Sequence, residues 1–120
     1  MSGTSQSQYP RRGDIYWVDF NPARGSEQAG HRPAVVISLD SYNRRMNTVV
    51  VAAMTTTVRE GSRVQLVLEA GDPMPKRGAI LGFQLSTIDK DRLGDHAGRL
   101  RPEQLEELNG VLALCFGLPK

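Results

Sequence analysis

The residues best placed to do chemistry lie in positions 25–37, Gly-Ser-Glu-Gln-Ala-Gly-His-Arg-Pro-Ala-Val-Val-Ile. A polar segment from Gly25 to Gly30, flexible by composition, delivers His31 and Arg32 to the mouth of an apolar strand that starts at Pro33. Pro33 disfavours helical geometry at the residue before it, so Arg32 is held extended at the strand entrance. Arginine is always charged and offers a planar fork of donors matched to phosphate oxygens, which is what a phosphodiester-binding site needs. By residue type alone, an arginine at a strand edge is most often a surface charge.

A second group is Thr55-Thr56-Thr57, at the close of a Val-rich strand. It reads either as β-propensity plus turn chemistry or as hydroxyl and backbone donors for a phosphate oxygen. If the strands bearing Arg32 and Thr55 pair antiparallel, the start of one lies beside the end of the other. Both groups then reach the same end of the sheet. His31 is the obvious titrating group, but neighbours on an extended chain point to opposite faces. His31 and Arg32 are therefore not expected to share one pocket unless the chain twists. Glu27 reads as a carboxylate that orients Arg32, as a base contact, or as a solvated charge. Trp17 and Phe20 alternate poorly, so one of them should face solvent or a partner; Trp17 is assigned to the core rather than to a base-stacking platform. Cys115 reads as a buried, inert thiol.

These residues need a scaffold, and 120 residues allow one domain with a single modest core. Hydrophobic content of 39% and charged content of 23% are ordinary for a soluble globular chain. No apolar run approaches the ~20 residues of a membrane helix. Residues 1–10 carry neither a basic nor an apolar signal-peptide region and are expected to form a disordered leader. Residues 11–118 are expected to form the single domain. One cysteine fits a reducing cytoplasm and rules out an intramolecular disulfide or a cysteine-based metal site. The first 101 residues carry 14 basic and 10 acidic side chains, a balance of +4 within a total of +2. Twelve of the 15 basic residues are arginine, which suits phosphate recognition but equally reflects a GC-rich genome.

Most of the chain patterns as strands: Gly13–Phe20, Pro33–Leu39, Thr48–Thr55, Val64–Leu68 and Gly78–Leu85. A short helix capped at Asp40 runs through Arg45, a short charged element covers Ser86–Leu93, and one more strand fits before Leu100. The Val-Val-Val run predicts that the third strand is central and covered on both faces. One helix is clear, from Pro102 to Phe116. Pro fits its first turn, Glu103, Glu106 and Glu107 suit its positive end, and Leu105, Leu108, Leu112 and Cys115 form its apolar stripe. Short strands with one terminal helix predict a mainly β domain, a small bent barrel with the helix packed on it. The sequence contains no P-loop, no Rossmann fingerprint, no HExxH, no Cys/His cluster and no GxSxG. With only two histidines, its chemistry is read as free of metal and cofactor.

Gly13-Asp14-Ile15, Trp17-Val18-Asp19-Phe20-Asn21-Pro22 and Gly25-Ser26-Glu27-Gln28-Ala29-Gly30-His31-Arg32-Pro33-Ala34-Val35-Val36 together resemble the MazF/PemK family of toxin endoribonucleases. Tyr42-Asn43, the strand ending in Thr55-Thr56, and Gln84, Ile88-Asp89 and Arg92-Leu93 extend the likeness over about residues 11–117. Residues between Thr56 and Gly78 follow it only loosely. The resemblance implies a small SH3-like barrel with helical additions, acting as a homodimer in the cytoplasm, the toxin half of a type II toxin–antitoxin pair. It implies metal-independent cleavage of single-stranded RNA at short sequences and inhibition of translation and growth. It also implies an antitoxin with an acidic, disordered C-terminal segment, with which the toxin binds DNA. Carried over, the catalytic arginine is Arg32 and the catalytic hydroxyl Thr55. Asn21, Glu27, Gln28, His31 and Thr56 fall to RNA binding or to a gating loop over about Asn21–Gly30. A gyrase-poisoning toxin on the same fold, which would not need the Arg32/Thr55 pair, and a non-catalytic binding module are the alternatives.

Overall fold

The computed structural model describes residues 9–20 and 30–119. Six strands and two α-helices follow in the order β1 (Asp14–Asp19), β2 (His31–Val36), α1 (Asp40–Arg45), β3 (Thr48–Thr55), β4 (Gln65–Leu68), β5 (Gly78–Asp89), β6 (Leu93–Arg99) and α2 (Pro102–Phe116). A single 3-10 turn, Lys90–Arg92, joins β5 to β6. All strands join one antiparallel sheet ordered β4-β5-β3-β2-β1-β6. The mainly β fold with a terminal helix is as the sequence predicts, but the sheet is open rather than closed. β4 and β6 are its edges, and α2 packs over β4 and β5.

β3 and α2 take the bounds read from the sequence, and β3 lies between β5 and β2 with Val49 and Val51 fully buried. Side chains alternate across the sheet and build two apolar layers. One joins Ile15, Val35, Ala52, Met54, Leu66 and Ile80 to Leu105, Leu108 and Leu112 of α2. The other gathers Val18, Ala34, Val36, Val49, Val51 and Ile88 on the opposite side. Cys115 is half-buried against β5, and burial pushes its thiol above the ordinary cysteine value, in keeping with an unreactive group.

Two strands depart from the expected bounds by more than one residue. β2 starts at His31 because His31 and Arg32 pair with Asp19 and Val18 of β1. It stops at Val36 because Ser38 leaves the ladder: its Oγ accepts the Val50 N–H at 3.0 Å and meets the fully buried Asn43. β5 runs on through Ser86–Asp89, which lie opposite Val51–Thr48 of β3. The expected charged element is thus the last third of a strand plus the 3-10 turn.

The register of β5 against β3 slips between the Ala52–Leu85 and Met54–Ile80 pairs, and Gly82 sits within the slip. A Cβ on Gly82 would lie 2.7 Å from Cys115 Sγ, 2.9 Å from Val111 Cγ1 and 2.9 Å from the Val64 carbonyl oxygen. The absent side chain is what lets the bent strand meet α2. At the other side of the sheet, buried Asp14 fastens edge strand β6: its carboxylate accepts from Arg99 Nη1 at 2.7 Å and from the Arg11 N–H at 2.9 Å, with His96 Nε2 at 3.2 Å. Of the expected leader, Tyr9 and Pro10 are described. Pro10 is buried, and the Tyr9 ring lies 5.4 Å from the Arg11 guanidinium carbon.

Candidate active site

The β2–β3 ladder begins at Ala34–Ala53. Pro33 has no N–H to contribute, and continuing the register two residues outward sets Arg32 opposite Thr55. At this end of the sheet opens a cleft of about 570 Å³, bordered by both residues and within the size range of small-ligand sites. The antiparallel expectation is thereby met in space: the arginine and the threonine share one cavity.

Thr55 does take part in turn chemistry, since its Oγ1 accepts the Thr57 N–H at 3.0 Å. That bond holds the oxygen in place and leaves the hydroxyl proton to donate elsewhere. Thr56 is exposed on the rim. Thr55 pairs with Ala79 of β5, and the strand begins one residue earlier at Gly78, where a Cβ would lie 2.6 Å from the Thr55 carbonyl oxygen. Only a residue without a side chain admits this approach, and it keeps the strand start close behind Thr55.

His31 also borders the cleft. Although His31 and Arg32 alternate along β2, the cavity lies across the strand end and is open to both; the expected separation into different pockets does not hold. Trp17 departs from expectation as well. It is 38% exposed on the cleft wall, while Phe20 packs against the second apolar layer. Asn21, Glu27 and Gln28 lie outside the described residues.

The far wall was not read from the sequence. It comes from Met74, Pro75 and Lys76, in the turn between β4 and β5, within the stretch where the family likeness is loose. The available signal was a lysine held by a Pro-rich turn directly before the Gly78 strand, but proline there reads first as a strand terminator. Arg77 steadies this turn by bonding Glu69 at 3.0 Å and Glu60 at 2.8 Å. Gln84, Asp89 and Arg92, which carry part of the resemblance, are not in the cleft. They line a separate groove over the second apolar layer.

Among the described residues, those lining the cleft include Arg32, Lys76 and His31 and no carboxylate. Among the described residues there is also no cluster of three or more His, Cys, Asp or Glu able to hold a metal ion. The cavity presents a guanidinium, an ammonium and a fixed hydroxyl among apolar walls. Such a set binds and polarises a phosphate group.

An open antiparallel sheet with a terminal helix and a cationic cleft at a strand end defines a class of small, mainly β domains. Comparison with known proteins places it more closely. The model of the PemK-like, MazF-like toxins of type II toxin–antitoxin systems matches residues 11–116. The endoribonuclease MazF of Staphylococcus saprophyticus is 36% identical over 110 residues, covering 90% of this chain and 92% of its own. Among solved structures, an endoribonuclease from a mycobacterial species, complexed with its cognate antitoxin, superposes with a TM-score of 0.78 at 29% identity. The match covers 92% of this chain and 98% of that one. MazF from Deinococcus radiodurans gives a TM-score of 0.79 at 26% identity, with the same coverage. The chain belongs to the PemK/MazF family of type II toxin–antitoxin toxins.

Proposed function

We propose that this toxin is a metal-independent, sequence-specific endoribonuclease acting on single-stranded RNA. The observation that carries the reading is the cleft that Arg32 and Thr55 both border, whose described lining residues include Arg32, Lys76 and His31 and no carboxylate. In the reaction, the ribose 2′-oxygen attacks the adjacent phosphorus and its proton passes to an acceptor. The new O2′–P bond forms as the P–O5′ bond breaks, and a proton reaches the leaving 5′-oxygen. The products are a 2′,3′-cyclic phosphate and a 5′-hydroxyl.

Arg32 serves the middle of this sequence, donating charge-assisted hydrogen bonds to phosphoryl oxygens whose charge grows in the transition state. The Thr55 hydroxyl adds a further donor. A guanidinium is not deprotonated near neutrality, so the proton acceptor is sought among His31, Glu27 and water. Incubating purified protein with a long RNA in excess EDTA should give discrete fragments ending in cyclic phosphate. A 2′-deoxy substitution at the cut nucleotide should abolish that cut. Intact RNA would overturn the reading, and inhibited DNA supercoiling beside it would favour gyrase poisoning.

The acting form is a homodimer. Phe83 and Phe116 are both exposed and their rings lie 6.0 Å apart, forming an apolar face for a second copy. Sedimentation should give a dimer for the wild type and a monomer for Phe116→Glu; a monomeric wild type sinks this assignment. The partner antitoxin presents an acidic, disordered segment that folds into the basic cleft on binding. The site of action is the cytoplasm, where the lone thiol stays reduced; no helix among the described residues is long and apolar enough to cross a membrane.

A further inference from the structure

We propose that Trp17 and His31 form a nucleobase-stacking subsite beside the scissile phosphate, an inference that rests on the RNA-cleavage reading. Trp17 pairs across the strands with Pro33, next to the Val18–Arg32 pair. Its side chain therefore stands one residue from the phosphate-binding arginine. Trp17 is 38% exposed, and its ring centroid lies 6.3 Å from that of His31, with the planes tilted by 54°.

The exposure has a structural cause. Ile15 packs in the layer beneath α2, and Leu105 of that helix reaches back as far as Gly13, where its methyl groups lie within 3.3 Å of a built Cβ. Trp17 is four residues beyond Gly13, about 13 Å along an extended strand, and no residue of α2 lines the cleft. The same cavity is lined by the apolar side chains of Met54, Met74 and Pro75 beside Lys76. A flat aromatic face in a cavity with apolar lining, beside a phosphate clamp, suits a purine or pyrimidine ring splayed from a single strand. Every base has a π-face, so the subsite supplies binding energy, while edge contacts elsewhere select the sequence.

Trp17 is the only tryptophan in the chain, so intrinsic emission reports on this position alone. Saturating wild-type protein with a fully 2′-O-methylated mixed-sequence oligonucleotide, its binding followed independently by anisotropy, should quench that emission strongly. Trp17→Leu should raise KM for a cleavable RNA about tenfold, the scale of losing one base stack, with kcat within about twofold. Trp17→Phe should recover most of the loss. Emission unmoved at saturation overturns the subsite, as does a Trp17→Leu KM within about twofold of wild type.

The two readings fail separately. If the oligonucleotide quenches Trp17 but ribose RNA stays intact in EDTA, the nuclease reading falls and the stacking subsite stands. Cleavage with unmoved emission removes the subsite and leaves the nuclease. Absence of oligonucleotide binding together with intact RNA in EDTA overturns both. Because the emission test uses the wild type, it stands even if Trp17→Leu fails to fold.

Discussion

Replacing Arg32 with alanine is expected to lower RNA cleavage by at least about 10²–10³-fold, the scale of losing one preorganised donor to a developing oxyanion. The fold should survive. Arg32 is only half-buried and belongs to neither apolar layer, and the β2–β3 ladder starts two residues further in. Arg32→Lys separates charge from geometry: it keeps the cation but loses the planar fork, and should recover only part of the rate. Single-turnover cleavage measured beside a thermal melt decides the matter. A folded Arg32→Ala protein with full activity would remove Arg32 from the chemistry and, with it, the reading of the cleft.

The second large effect is on stability. Gly82→Val is expected to lower unfolding free energy by about 3 kcal/mol or more, at or beyond the upper end for an overpacked core. Its Cβ alone would fall within 3 Å of Cys115 Sγ, Val111 Cγ1 and the Val64 carbonyl. The first two belong to short side chains on α2 that can yield only by leaving their χ1 rotamers or by moving with the helix. The third accepts the Gly82 N–H at 2.9 Å and so is tied to the strand that would have to shift. Relief therefore costs strained rotamers on α2, a shift of the strand, or separation of helix and sheet over the buried layer that contains Leu108. Gly82→Ala should show a smaller loss of the same sign. Urea midpoints measure both, and a Gly82→Val midpoint equal to wild type would show that β5 does not bend under α2 as described.

These two positions differ in how far they were legible beforehand. Arg32 announces itself through local chemistry: a guanidinium before proline, next to a Gly-bounded polar segment, with a threonine run closing another strand. An antiparallel guess was enough to bring the two together at one end. Gly82 announces nothing. A glycine inside a strand pattern marks a bulge or a close approach, but which neighbour approaches is set by a helix some thirty residues later in the chain. The cleft's far wall follows the same rule. Met74 and Lys76 stand within a Pro-rich turn, and nothing local says that the turn folds back toward Arg32.

The amino-acid order alone determined the bounds of β3 and α2, the mainly β class, the family, and the residues best fitted to hold a phosphate. Each of these depends on interactions within a few residues, or on a string long enough to be distinctive. Tertiary structure decided the rest. It left the sheet open, extended β5 beyond Leu85 because β3 offered partners there, and ended β2 where Ser38 replaced the ladder. It brought His31 and Arg32 to one cavity despite their alternation, because a cleft across a strand end is open to both faces. It also exposed Trp17, because period-two alternation names the face a residue occupies but not how far the covering helix reaches along it.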